Sequence, residues 1–465
     1  MVSPVAVNVP ASLDVVVIGA GLSGLLCAHE LRRLGLAVRL LEARGRSGGR
    51  MHGQPVGSGL RLDLGGQWVG ASHRRLLALL EAQGLRRYPT HYEGEGIFHW
   101  NGRPHRAGIE HGFRDSLLFF SPSQLNLPPA ALARTLAVQE RFEALVDAVP
   151  PEAPWSLPGA EALDRQSIAA WLEGQGADAL AGYPLAWLAR MGGSGGFEPW
   201  ESSILHLAWT QAVAPQHQTP EAWLVEGGIT QVAERLTQEL EDVLHLHCPV
   251  EAIEQEGGGV RVRAAGRHWR AGAAVVAIPP PLRLGIRFDP PLPAEQQALL
   301  QRSPMGAMVK VLAVYPDPFW RREGLNGLGI GDLPCLELTV DSSPPGGPGL
   351  LVGFIAGERA VRWARRPEAE RRRLVLADLI RLWGPRAGEP RELLLHDWCA
   401  EPWSGGAFTS FLSPGTWCRH GQAWRQSHGR VVWAGSEASR RWPGYFEGAI
   451  EAGLAAVEEV QALLG

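Results

Sequence analysis

Six residues near the front of the chain, Gly19-Ala20-Gly21-Leu22-Ser23-Gly24, leave it few ways to fold. They follow a β-branched run from Asp14 to Ile18 and precede a helical pattern with Leu25, Leu26, Leu31 and Leu34 on one face. Gly35 ends that helix, and a second apolar run, Ala37 to Leu41, closes on Glu42, eighteen positions beyond Gly24. This is a βαβ unit carrying the G-x-G-x-x-G fingerprint in its proper context. Gly19, Gly21 and Gly24 let main chain approach a pyrophosphate at a helix N-terminus, and Glu42 can accept hydrogen bonds from ribose hydroxyls. Both strands read as apolar without alternation, as in a parallel sheet covered on two faces. The fingerprint implies a bound dinucleotide and does not distinguish NAD from FAD.

The 465 residues exceed one ordinary core, so the chain should divide into two or three domains. The net charge of -4 provides no basic field, which excludes nucleic acid as a partner and leaves small molecules. Five cysteines with no two-residue spacing form neither a disulfide framework nor a zinc site, and point to a reducing, cytoplasmic setting. No metal-ligand pattern is present. There is no signal-like segment and no run of about 18 uncharged apolar residues, so the expectation is a soluble protein without a membrane anchor. Oligomeric state stays open, with a homodimer as one option.

Residues 11–88 read as the first part of the dinucleotide domain. From 89 to 222 the chain is rich in Trp, Pro and Ala with helical spacing, and reads as an inserted, mostly helical substrate domain. Sheet-like text over 223–290 returns to the cofactor domain, 291–398 to the substrate domain, and 399–465 closes the cofactor domain. The fold class is α/β: a Rossmann-type dinucleotide-binding domain with an inserted mixed-sheet and helical substrate domain. The run Arg371-Arg372-Arg373 reads as a solvated helix face.

Beyond the fingerprint, Arg44 and Arg50 (after Gly48-Gly49) can bracket a diphosphate, and Gly65-Gly66, leading to Gln67-Trp68, permits close passage of main chain beside a flat ring. The chain holds a single lysine, Lys310, among 44 Lys and Arg residues. A compact ammonium can shift its pKa when buried, as a guanidinium cannot.

With these motifs go Leu224-Val225-Glu226-Gly227-Gly228, Met308-Val309-Lys310, Trp403-Ser404-Gly405-Gly406-Ala407-Phe408 and Ala434-Gly435-Ser436-Glu437, leading to Trp442-Pro443-Gly444-Tyr445-Phe446. Together they resemble the flavin-containing amine oxidases, the family of monoamine, polyamine and L-amino-acid oxidases, over most of the chain. The resemblance implies that Lys310 holds a water near the flavin N5, the alternative being a snorkelling strand lysine. It makes Tyr445 and Phe408 the aromatic pair that guides the amine, with Phe408 replacing a usual tyrosine; core packing is the other reading of Phe408. Trp398 by position packs against the isoalloxazine ring or in the core. Gly435, Ser436 and Glu437 match the segment touching the ribityl chain and pyrophosphate, and Val250 matches a main-chain contact to adenine. Ala407 stands where some relatives carry a flavin-linking cysteine, so FAD should be noncovalent, and Cys399 is a poor substitute.

The activity implied is oxidation of a neutral monoamine or polyamine to an imine, hydrolysed to a carbonyl, with O2 (giving hydrogen peroxide) or another acceptor reoxidising FAD. Glu337 and Glu226 are candidates for a distal substrate ammonium, or else structural carboxylates. An L-amino-acid oxidase would need an arginine for the substrate carboxylate, Arg114 being one candidate. A polyene or tetrapyrrole desaturase is a further alternative on the same scaffold.

Overall fold

The computed structural model describes residues 13–57, 60–110, 116–192, 195–214 and 221–465. Its first unit is the anticipated βαβ. The strand Leu13–Ile18 pairs in parallel with Val38–Leu41 on one side and Arg267–Val276 on the other. Val15, Val16 and Val17 are fully buried, because both faces of the sheet are covered. Leu244–His245 and Val431–Trp433 extend the parallel arrangement, while Val250–Glu256, Gly259–Ala264 and Arg267–Val276 form an antiparallel meander in the same sheet.

The helix Leu22–Arg33 starts at Gly21 without a side-chain cap and stops where Gly35 takes a positive φ of 85°. A Cβ on Gly24 would lie 1.9 Å from the Gly19 carbonyl oxygen, so only glycine lets the helix pack this tightly on the turn before it. The last helix, Phe446–Leu464, lies against the first, and Gly453 allows the approach: a Cβ there would come within 2.6 Å of the Ser23 carbonyl. Front and tail thus share one core that includes Leu25, Leu31, Ile450 and Val457.

A second sheet of seven strands runs in the order Glu392–Asp397, Met308–Tyr315, Gly349–Ala356, Leu338–Asp341, Leu325–Gly331, Glu95–Trp100, Arg103–Gly108. Helices between Pro129–Ala148 and Ile204–Val213 pack beside it. The stretch 89–222 is therefore helical only from Pro129 onward. It opens on a hairpin turned by Asn101 and Gly102, both at positive φ, which completes the edge of the second sheet. Among the described residues, no helix is long and apolar enough to cross a membrane, and no group of His, Cys, Asp and Glu is arranged to hold a metal ion. All five cysteines are free.

Candidate active site

One cavity of about 620 Å³ lies where the two sheets meet, walled by the front glycine loop, the second sheet and the tail. Gly19, Gly21 and Glu42 line its first end. Nothing stands within 4 Å of where a Gly21 Cβ would be, so that face of the loop opens on the cavity beside uncapped helical N–H groups. Such a cradle fits a phosphate-bearing cofactor. Gly21→Val is expected to leave the fold intact and empty the cradle: an unchanged melting temperature for the cofactor-free protein, with flavin content well below wild type. Equal flavin content in both proteins would remove this role for the loop.

Glu42 ends the second strand and is buried. Its carboxylate accepts from the main-chain N–H of Ala20 and of Arg44, both at 2.8 Å, and still borders the cavity. Gly49, Gly66, Gln67, Trp68 and Val250 also line the space, as do Gly435 and Ser436 from the tail. Gly435 N donates to Ser23 Oγ at 3.0 Å, tying the tail directly to the first helix.

Two expectations change here. Arg44 and Arg50 reach the cavity, but their guanidinium groups are engaged by protein rather than held open as a diphosphate clamp. Arg50 forks onto the two Glu437 oxygens at 2.5 and 2.9 Å and donates to the Phe408 carbonyl at 2.7 Å. Arg44 donates to Ser404 Oγ at 2.7 Å, near Glu401 and Glu42. Glu437 and Gly24 do not line the cavity; Glu437 stands behind Arg50, and Gly24 behind the loop. Burial alone would raise the Glu437 carboxyl. The Arg50 charge, and hydrogen bonds from Arg50 and Thr409, outweigh it and bring the group down to about 2.

Lys310 projects into the cavity from the fully buried strand Met308–Tyr315. Its Nζ donates to the carbonyls of Asp63 and Gly65, each at 2.7 Å, and to Gln67 Oε1 at 2.5 Å. Gln67 Nε2 donates to Ser342 Oγ at 2.8 Å, which fixes the amide with its oxygen toward the lysine. Burial draws the Lys310 pKa down to about 7, and the Asp63 carboxylate pushes back. An ammonium has three N–H groups, and here all three are taken. The sequence expectation of an ammonium donating to a water does not fit this state; the neutral amine would instead present a lone pair.

Phe408, Tyr445 and Trp398 all border the same cavity. Phe408 packs edge-on against Phe354 at 5.6 Å between ring centroids. Trp398 donates its indole N–H to the Leu64 carbonyl at 3.0 Å. Tyr445 precedes the last helix and is braced by Trp442 at 5.1 Å and His73 at 5.6 Å. His73 accepts from Gly70 N, and burial lowers its pKa to about 4, so the ring is a neutral brace. Ala407 lines the cavity without a nucleophile, whereas Cys399 is exposed and lies outside the lining.

The two proposed substrate carboxylates lie elsewhere. Glu337 is fully buried between Arg190 at 2.9 Å and Arg359 at 3.0 Å. Strand alternation explains this: Leu338 and Val340 face the cavity, so the odd-numbered neighbours face away. Glu226 is paired with Arg86 at 2.7 Å at the surface. Arg114 lies outside the described residues. Residues that the sequence did not single out complete the wall, among them Phe119, Trp187, Phe354 and Glu221. Phe354 is the direct cross-strand partner of Lys310, a relation visible only once the strands are paired.

Comparison with known proteins agrees with this arrangement. The sequence profile of the flavin-containing amine oxidoreductases matches residues 22–461. An L-amino acid dehydrogenase of Synechocystis sp. is 36% identical over 99% of this chain and 98% of its own. Among solved structures, a putrescine oxidase bound to putrescine has a TM-score of 0.89 at 29% identity, covering 97% of this chain and 99% of that one. Cyclohexylamine oxidase from Brevibacterium oxydans also has a TM-score of 0.89, at 30% identity over 97% and 99%. With the profile and these relatives spanning nearly its whole length, the chain belongs to the flavin-containing amine oxidoreductases.

Proposed function

We propose that the protein oxidises an amine at the carbon bearing nitrogen, with noncovalently held FAD as hydride acceptor. Water then hydrolyses the imine to a carbonyl and ammonia or a smaller amine, and O2 or another acceptor reoxidises the cofactor. The reading rests above all on one observation: Lys310, Tyr445 and Phe408 border the same cavity as the Gly21 cradle. When bound, the flavin supplies the hydride-accepting chemistry; the protein supplies orientation and surroundings.

The Gly21 loop would hold the pyrophosphate, Glu42 the adenosine ribose, and the Gly435–Ser436 segment the adjoining chain. Phe408, Tyr445, Phe119 and Trp187 make the remaining wall largely apolar. Such a wall favours the neutral amine, whose lone pair assists C–H cleavage, over its ammonium. Lys310, whose donors rest on three carbonyl oxygens, would offer a water the lone pair it gains on losing its proton.

The relation to an L-amino acid dehydrogenase favours a second reading, oxidation of an L-amino acid. That substrate needs a cation for its carboxylate. Among the described residues, the cations at the cavity are Arg44, Arg50 and Lys310, all engaged by protein groups. Anaerobic flavin reduction by a monoamine, spermidine and an L-amino acid separates the readings. The reduction rate within the complex is expected to rise with pH through the substrate amine's own titration; a flat profile across that range contradicts the neutral-amine mechanism.

A further inference from the structure

Among the described residues, only two carboxylates reach the cavity, Glu42 and Glu221. Glu42 is occupied by main-chain N–H groups. Glu221 is different. It precedes the strand Trp223–Val225, which pairs with Arg87–Pro89. Thr90 fixes its main chain, donating through Oγ1 to the Glu221 carbonyl at 2.7 Å and through N to the Ala222 carbonyl at 3.0 Å. The backbone is therefore held while the side chain faces the cavity. Among the described residues its carboxyl has no ion pair or hydrogen bond beyond one from its own main-chain N–H.

The Glu221 charge acts on the neighbouring Tyr92, and the wall of the cavity as a whole includes Phe119, Trp187 and Trp68. A carboxylate among apolar walls is costly without a countercharge, and burial accordingly pushes Glu221 up to about 7. A cation entering beside it would relieve that cost and gain a charge-assisted hydrogen bond. Glu337 and Glu226 cannot serve in this way, since both are already paired with arginines.

We propose that Glu221 anchors a second positive charge of the substrate, an ammonium or guanidinium remote from the carbon that is oxidised. The inference rests on amine oxidation as proposed above and adds a selection rule to it: of two substrates alike at the reacting end, the one with the distal cation is preferred.

Two matched pairs test the rule, pentylamine against 1,5-diaminopentane and L-norleucine against L-lysine, with wild type and Glu221→Gln compared by anaerobic flavin reduction. In wild type, the dibasic member of the pair that reduces the flavin should have a kcat/KM higher by roughly 10- to 100-fold, the worth of one charged hydrogen bond. Glu221→Gln should bring the two members to within a few-fold, through KM more than kcat. It should leave the monobasic member unchanged or improved, with flavin content and melting temperature retained. If wild type shows no preference, or the variant slows both members equally while amines still reduce the flavin, the role of Glu221 falls and amine oxidation stands. If none of the four compounds reduces the flavin, amine oxidation falls and this inference with it.

Discussion

Lys310→Met should retain its flavin and yet slow at least one half-reaction, flavin reduction or reoxidation, by roughly 100-fold, the scale of a lost proton-handling group. Methionine keeps the length and apolar stem of the side chain and removes the nitrogen. The pyrophosphate cradle does not touch that nitrogen, because its glycines and helix N-terminus lie on the other sheet; the turn from Asp63 to Gln67 loses three hydrogen bonds. Rapid-mixing measurements of both half-reactions decide the matter: unchanged rates in each would remove Lys310 from the chemistry. A second readout comes from stability. Burial lowers the Lys310 pKa from 10.5 to about 7, so between these values the unfolded chain holds a proton that the folded chain has released. The unfolded state then binds more protons, and stability rises with pH across that window. The stability of wild type relative to Lys310→Met should therefore climb from pH 7 toward 10, and a parallel pair of curves would contradict the depressed pKa.

Glu437→Ala should lower stability by about 3–5 kcal/mol, the usual cost of removing one partner from a buried ion pair. It should also weaken flavin retention. Arg50 is held by both Glu437 oxygens and in turn supports the Phe408 carbonyl, so the loss frees a cation and loosens an aromatic wall together. The sign of the pH effect follows from the depressed carboxyl. Its contribution is complete above the ordinary value near 4.5 and disappears as pH falls through about 2. The gap in unfolding free energy between wild type and variant should therefore be constant above about pH 5 and close on acidification. Denaturant unfolding at pH 7 and pH 3 measures both; a gap that is absent at pH 7, or that widens in acid, would contradict the pairing.

Much of the fold was legible because its signals are local. The run Asp14–Ile18, the three glycines and Glu42 announce a βαβ unit within thirty residues or so, and Gly35 ends the helix as its position suggested, whereas Gly24, expected at the pyrophosphate, serves the packing of the helix on the turn before it. The hairpin Glu95–Trp100/Arg103–Gly108 was missed although Asn101-Gly102 is a strong turn signal, because the Trp- and Ala-rich text around it pulled the reading toward helix. Residues singled out from recognisable motifs, such as Gly21, Lys310 and Tyr445, lie at the cavity. The charge partners were not, since pairing is a property of three-dimensional neighbours. Nothing near Glu337 in sequence reveals Arg190 and Arg359, and nothing around Arg50 reveals Glu437. Glu221 escaped for the opposite reason: its distinction is to have no countercharge among the described residues in a place that only the folded chain defines.

The central claim is that the front glycine loop and the tail leading into the last helix enclose one flavin without a covalent link. The most direct measurement is flavin stoichiometry on the purified protein before and after acid precipitation, with reconstitution of any apoprotein by FAD. The account predicts a yellow protein carrying about one flavin per chain, all of it released into the supernatant as FAD and rebound on refolding. A folded protein that is colourless and takes up no FAD, or a flavin that stays with the precipitate, would contradict it.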